Sequence, residues 1–214
     1  MKNKAFTLTE LLIALAIIGI LIAILLPVIS NIMPDQNALM AKRAYHGIQT
    51  VTSSLLNDEA CYPNKTQALE DDARIGFDDG FGYSDCLIWG GTKNETSIDT
   101  EDANTKFITL FFDKLDVKSN DGDTYTTKDK MTWTVQNKNL SSTNDDPSIE
   151  IVVDVNGPDK PNCKDAADTT GDSCTTKKDF DRFTVKIHAD GKLDIAEEWA
   201  ANAVGIDADV TGEP

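Results

Sequence analysis

The chain is short of the residues that most chemistry needs. It has two histidines and four cysteines in 214 residues, and 20 basic residues against 36 acidic ones. With so few histidines, and none in a matching context, nucleophilic or general acid–base catalysis has little to work with. Gly171-Asp172-Ser173-Cys174 has the start of a serine-protease fragment, but Cys174 stands where that motif has Gly, so the stretch reads as loop. No enzyme and no cofactor is expected. The net charge of −16 and the absence of a basic stripe exclude a nucleic-acid groove. A surface this acidic implies solubility, self-repulsion and divalent cations as counterions. Asp121-Gly122-Asp123 and Asp154-Val155-Asn156-Gly157-Pro158-Asp159 offer oxygens but complete no EF-hand spacing. Such Asx-Gly clusters read as solvated turns, and no metal ligand set is assigned.

Charge is missing altogether from Leu11 to Ile29. As a helix, those residues reach roughly 28 Å, close to the hydrocarbon thickness of a bilayer. Lys2 and Lys4 precede the run, which places the N-terminus in the cytoplasm and exports the rest. A secretory signal peptide has a shorter apolar region and a small-residue cleavage site; this run ends instead in Leu25-Leu26-Pro27-Val28-Ile29. A plain signal anchor explains the length but not Glu10. A carboxylate in lipid costs about 2.5–3.5 kcal/mol at the bilayer centre and less near the interface, so Glu10 needs a partner.

Ala5-Phe6-Thr7-Leu8-Thr9-Glu10-Leu11-Leu12-Ile13-Ala14, continuing through Gly19 to Pro27, resembles the class III signal of type IV pilins and type II secretion pseudopilins. The resemblance covers the N-terminal quarter of the chain. It implies that a prepilin peptidase cuts between Ala5 and Phe6, removes residues 1–5 and methylates the new amine of Phe6. The family usually has Gly before the cut, and Ala5 departs from that. The resemblance also implies that Glu10 pairs with the amine of a neighbouring subunit during filament assembly, a pairing that offsets the cost of a lone buried charge. A local role for Glu10 is compatible with this: Thr7-x-x-Glu10 fits a capping box at a helix N-terminus. The implied partners are copies of the chain or related pilins, the prepilin peptidase, the inner membrane and a pilus or type II secretion machinery. The implied life history is a single-pass inner-membrane precursor that matures into an extracellular or periplasmic filament. A signal-anchored extracellular binding protein that never polymerises is the alternative from another class.

The helix is expected over residues 6–56, its membrane part being 11–29. Pro27 and Pro34 withdraw hydrogen bonds from Ala23 and Ser30 and should kink it, although Pro34 also suits the first turn of a new helix. From Ala38 onward Met40, Ala44, Ile48, Val51 and Leu55 make one apolar stripe, with His46 off it as a solvated residue. The exported domain is expected over 57–214, with a frayed acidic tail at 206–214. Within it Asn104–Leu115 reads as a helix from the spacing of Phe107, Ile108, Phe111, Phe112 and Leu115, a buried strand over Phe107–Phe112 being the alternative. Met131–Val135, Ile149–Val155 and Phe183–Ile187 alternate as strands, and Asp190-Gly191 turns into a short partner at Lys192–Ile195. The fold class is α+β, a long N-terminal helix whose second half packs on a small antiparallel sheet. Cys61 with Cys86, and Cys163 with Cys174, each bracket a polar loop, which favours two local disulfides among the three connectivities. Zinc is the rival, but the cysteine spacing lacks a C-x2-C knuckle and an exported domain is oxidised.

Overall fold

The computed structural model describes residues 8–32, 35–62, 76–78, 87–88, 92–93, 103–140, 146–168 and 174–208, with backbone alone at 25–32, 78, 87–88 and 92–93. Two compact units divide at Asp35. The first holds helix α1, Leu8–Ile32. Leu, Ile and Ala dominate it, and its helical backbone runs through Pro27. The second begins with helix α2, Gln36–Leu56. Helical backbone thus covers most of the expected 6–56; Pro34 falls between the two helices, outside the described residues.

In the second unit Ala44, Ile48, Val51 and Leu55 of the expected stripe lie on the buried face of α2 with Ala41, Tyr45 and Thr52, while Met40 is half-buried against the same cluster. Two short strands follow, β1 (Leu87–Ile88) and β2 (Thr92–Lys93), paired antiparallel. Helix α3 spans Ala103–Lys114 and buries Phe107, Ile108, Leu110, Phe111 and Phe112, so the strand alternative for Phe107–Phe112 is overturned. Five large side chains at helical spacing cover one wide face, whereas a strand would have sent half of them to each side.

Six strands then form a meander: β3 (Val117–Asp121), β4 (Thr124–Thr127), β5 (Thr132–Asn139), β6 (Ser148–Asp154), β7 (Arg182–His188) and β8 (Leu193–Ile195). Each pairs antiparallel with the next in chain order. The fold is α+β, as the residues predict. Trp133 and Val135 on β5 and Phe183, Val185 and Ile187 on β7 point inward, and their neighbours are half-exposed. β6, second in from neither edge, is buried on both sides except at Glu150. Gly191, at φ +87°, makes the β7–β8 turn; a Cβ there would stand 2.9 Å from the Leu56 side chain. Helix α4, Glu198–Val204, closes the unit and ends at Gly205 in the left-handed conformation. It contacts α2, which also meets α3. One hydrophobic cluster joins the stripe of α2, the phenylalanines of α3 and the inner residues of β5, β6 and β7. Ile206 and Ala208, expected to fray, are half-buried against that cluster, and residues 209–214 lie outside the described set.

Candidate assembly segment and the loop at the cysteine pair

α1 leaves its apolar side chains uncovered. Every described side chain from Leu8 to Ile24 is exposed, Leu8 at 77% and Ile20 at 62%. An apolar surface of this extent belongs against lipid or another polypeptide. Glu10 is exposed in the first turn of α1, where the helix dipole favours an anion. Ala5, Phe6 and Thr7 lie outside the described residues, as do the side chain of Pro27 and Pro34. Among the described residues no helix is long and apolar enough to cross a membrane. The uncharged run extends to Ile29, past the last described side chain, Ile24.

The other concentration of functional groups lies where β6 hands over to β7. Cys163 and Cys174 form a disulfide with Cα atoms 5.6 Å apart, within the usual range. That bond excludes a zinc site built from all four thiols. Cys61 is buried and disulfide-bonded; its expected partner, Cys86, lies outside the described residues. Asp181, fully buried, organises the loop backbone. Its carboxylate accepts from the Asn162 N–H and the Asn156 amide, each at 2.9 Å, and from the Cys163 N–H. Gly157 sits at φ +73°, and a Cβ there would fall 2.2 Å from the Lys130 carbonyl oxygen, so glycine is required for the loop to lie this close to the β4–β5 turn.

Asp154 overturns the expectation of a solvated turn, being only 3% exposed. Its Oδ2 accepts from Arg182 Nε at 2.8 Å, while Oδ1 has no partner. Burial pushes the carboxyl up to about 6, and the neighbouring Asp181 adds to the rise; the Arg182 hydrogen bond and charge oppose it. Arg182 reaches on to Asn162 Oδ1 at 3.1 Å. Glu197, before α4, accepts from both the N–H and the hydroxyl of Thr184 and lies 3.9 Å from Lys164 Nζ. Burial raises its pKa too, against those hydrogen bonds and that cation. Nothing in local composition marks these acids out. The available signal was Val152-Val153, two consecutive apolar residues that bury both faces of β6 and carry the burial on to Asp154.

A cleft of about 580 Å³ adjoins this region, with Phe180 and Trp199 against Asp165, Glu197 and Glu198. Asp121 and Asp123 are exposed at the β3–β4 turn, and among the described residues no group of three or more His, Cys, Asp or Glu could hold a metal ion. His46 is exposed on α2 beside Gln49, as expected.

No curated protein and no solved structure matches the chain. Residues 1–26 match the family model described as the prokaryotic N-terminal methylation motif. The match takes in Phe6, Glu10, Gly19 and the exposed apolar face of α1 up to Ile24. The chain therefore carries, at its N-terminus, the class III prepilin signal of type IV pilins and pseudopilins.

Proposed function

We propose that the protein is a structural subunit of a type IV pilus-like filament, made as an inner-membrane precursor with its N-terminus in the cytoplasm. The prepilin peptidase cuts between Ala5 and Phe6 and methylates Phe6. The subunit then polymerises through α1. What carries this reading is the match over residues 1–26 together with an α1 whose described side chains are all exposed. An apolar helix that its own chain leaves uncovered is stable in lipid before assembly and among neighbouring helices afterwards. Glu10 supplies the register: in an apolar bundle its carboxylate is offset by the Phe6 amine of a neighbour, and one axial stagger brings the two together. The 36–208 unit is the exported domain, with Cys61–Cys86 as its second disulfide. Type II secretion pseudopilins share the signal and the assembly chemistry, and genes adjoining this one distinguish the two settings.

Two measurements test the proposal. N-terminal mass spectrometry of the protein from cells with a prepilin peptidase should find N-methylated Phe6; an intact Met1, or a cut beyond Ile29, refutes the processing. Glu10→Leu should leave the precursor inserted, cleaved and folded, because removing a charge eases insertion. Sheared filaments should nevertheless be lost or sharply reduced while the subunit accumulates in membranes. Normal filament yield from Glu10→Leu would falsify the pairing role.

A further inference from the structure

Asn156-Gly157 is the one Asn-Gly pair in the sequence. In an open chain such a pair is chemically unstable. The glycine nitrogen, with no Cβ beside it to hinder approach, loses its proton to water and attacks the asparagine Cγ. The Cγ–Nδ2 bond breaks and ammonia leaves, which closes a succinimide ring. Water then opens the ring to aspartate or isoaspartate, so a neutral amide becomes a carboxylate.

The fold holds this pair against that reaction. The Asn156 amide nitrogen donates to the Asp181 carboxylate at 2.9 Å, which settles which of its two terminal atoms is nitrogen. Asn156 Oδ1 is buried, and no donor among the described residues reaches it. Ring closure puts negative charge on that oxygen in the tetrahedral intermediate, and such charge forms readily where donors meet it. The backbone is tied down as well. Val155 donates its N–H to the Asp181 carbonyl at 2.9 Å, and Gly157 donates to the Asp154 carbonyl at 3.4 Å. Gly157 also lies so close to Lys130 that a Cβ would fall 2.2 Å from its carbonyl oxygen. The attacking nitrogen and the amide it must reach are thus both held by other partners. Asp181 is fully buried, and its own N–H donates at 2.9 Å to the carbonyl of Cys163, which the disulfide to Cys174 secures.

We propose that Asn156 is a modification site gated by Asp181: the closed loop over residues 156–163 preserves the amide, opening of the loop admits deamidation, and the closed loop cannot take the product back.

The irreversibility follows from charge and geometry. Aspartate at 156 sets a carboxylate against Asp181 across the distance now spanned by an amide hydrogen bond. Asp154 already shares this buried region, where its charge and that of Asp181 oppose one another. Arg182 is the cation at hand, and it is engaged by Asp154 and by Asn162. A further like charge in so desolvated a place strongly disfavours closure. Isoaspartate adds a methylene to the main chain and shifts Gly157 from its seat on Lys130. Each opening therefore risks a one-way conversion, and the segment released includes Asn162 and Cys163, whose N–H groups bind Asp181 in the closed form.

The full chain in detergent micelles, aged at mildly alkaline pH and followed by peptide mapping with mass spectrometry, tests the gate. Conversion at Asn156 should run about tenfold or more slowly in the native protein than in the same protein unfolded in urea, because local opening limits it. Asp181→Ala, in protein that keeps a cooperative unfolding transition, should bring the native rate close to the urea rate. Asn156→Asp makes the product directly. Hydrogen exchange at its Cys163 amide, corrected for intrinsic rates, should be about tenfold faster than in wild type at neutral pH. Equal conversion in native and unfolded wild type overturns the gate, as does a folded Asp181→Ala that converts as slowly as wild type. Wild-type protection of Cys163 in Asn156→Asp overturns the exclusion of the product. If Asp181→Ala does not fold, the native-to-urea comparison and the Asn156→Asp exchange decide.

Discussion

From Leu8 to Ile24 every described side chain is exposed, whereas across residues 36–208 leucine, isoleucine, valine and phenylalanine fill a core in which many are completely buried. The two regions draw on similar apolar residues and differ in spacing. In α1 apolar residues occur on all sides, so no single helix of the same chain could cover them, and the surface is left for lipid or for neighbouring subunits. In α2 and α3 most of them lie on one buried face, with Lys42, Arg43 and Thr105 off it and Leu39 the exposed exception, and that face is satisfied within the chain. Stability of the second unit and membrane partition of the first should therefore respond to different substitutions.

The largest effect is expected from Phe111→Ala. Phe111 is fully buried and lies in ring contact with Phe107 and Phe112. Its loss should cost about 3–5 kcal/mol in denaturant unfolding, with membrane fractionation of the folded protein unchanged. Ile17→Asp is the converse. It should oppose insertion by about 2.5–3.5 kcal/mol while the unfolding midpoint of the 36–208 unit stays where it was. If either substitution moved both readouts equally, the comparison would fail. Replacing Cys163 and Cys174 together by Ser should lower stability by roughly 2–4 kcal/mol, read by denaturation with and without reductant. That effect should be confined to the second unit. The smallest expected effect is Lys138→Ala. Lys138 pairs with Asp123 at the exposed β3–β4 turn, and a surface ion pair of this kind contributes about 1 kcal/mol or less.

The same contrast governs how much could be read in advance. α3, β5, β6, β7 and β8 were legible because each has an apolar face and therefore a period: Phe107 and Phe111 at helical spacing, and Phe183, Val185 and Ile187 in alternation. The β3–β4 hairpin was not. Val117–Asp121 is exposed along almost its whole length and carries no period; it is an edge strand paired only with β4, which in turn pairs with β5. α4 was missed for a related reason. It has seven residues, and what stabilises it is contact with α2, remote in sequence. Asp154 was misread because an Asx-Gly turn looks the same in sequence whether or not something covers it.

The N-terminal signal could be read from the order of residues because its chemistry is local. Ala5-Phe6 and Glu10 belong to one contiguous motif within the matched residues 1–26, and the uncharged run to Ile29 is a matter of composition. No other part of the chain need be known to recognise it. The Cys163–Cys174 pairing was legible for the same local reason, whereas the burial of Asp154 and Glu197 depends on which distant residues come to surround each group. Arg182 lies 28 positions from Asp154, and Lys164 is brought to Glu197 from the far side of β7. Burial raises the pKa of both carboxyls, and that burial arises only once sheet and loop are in place.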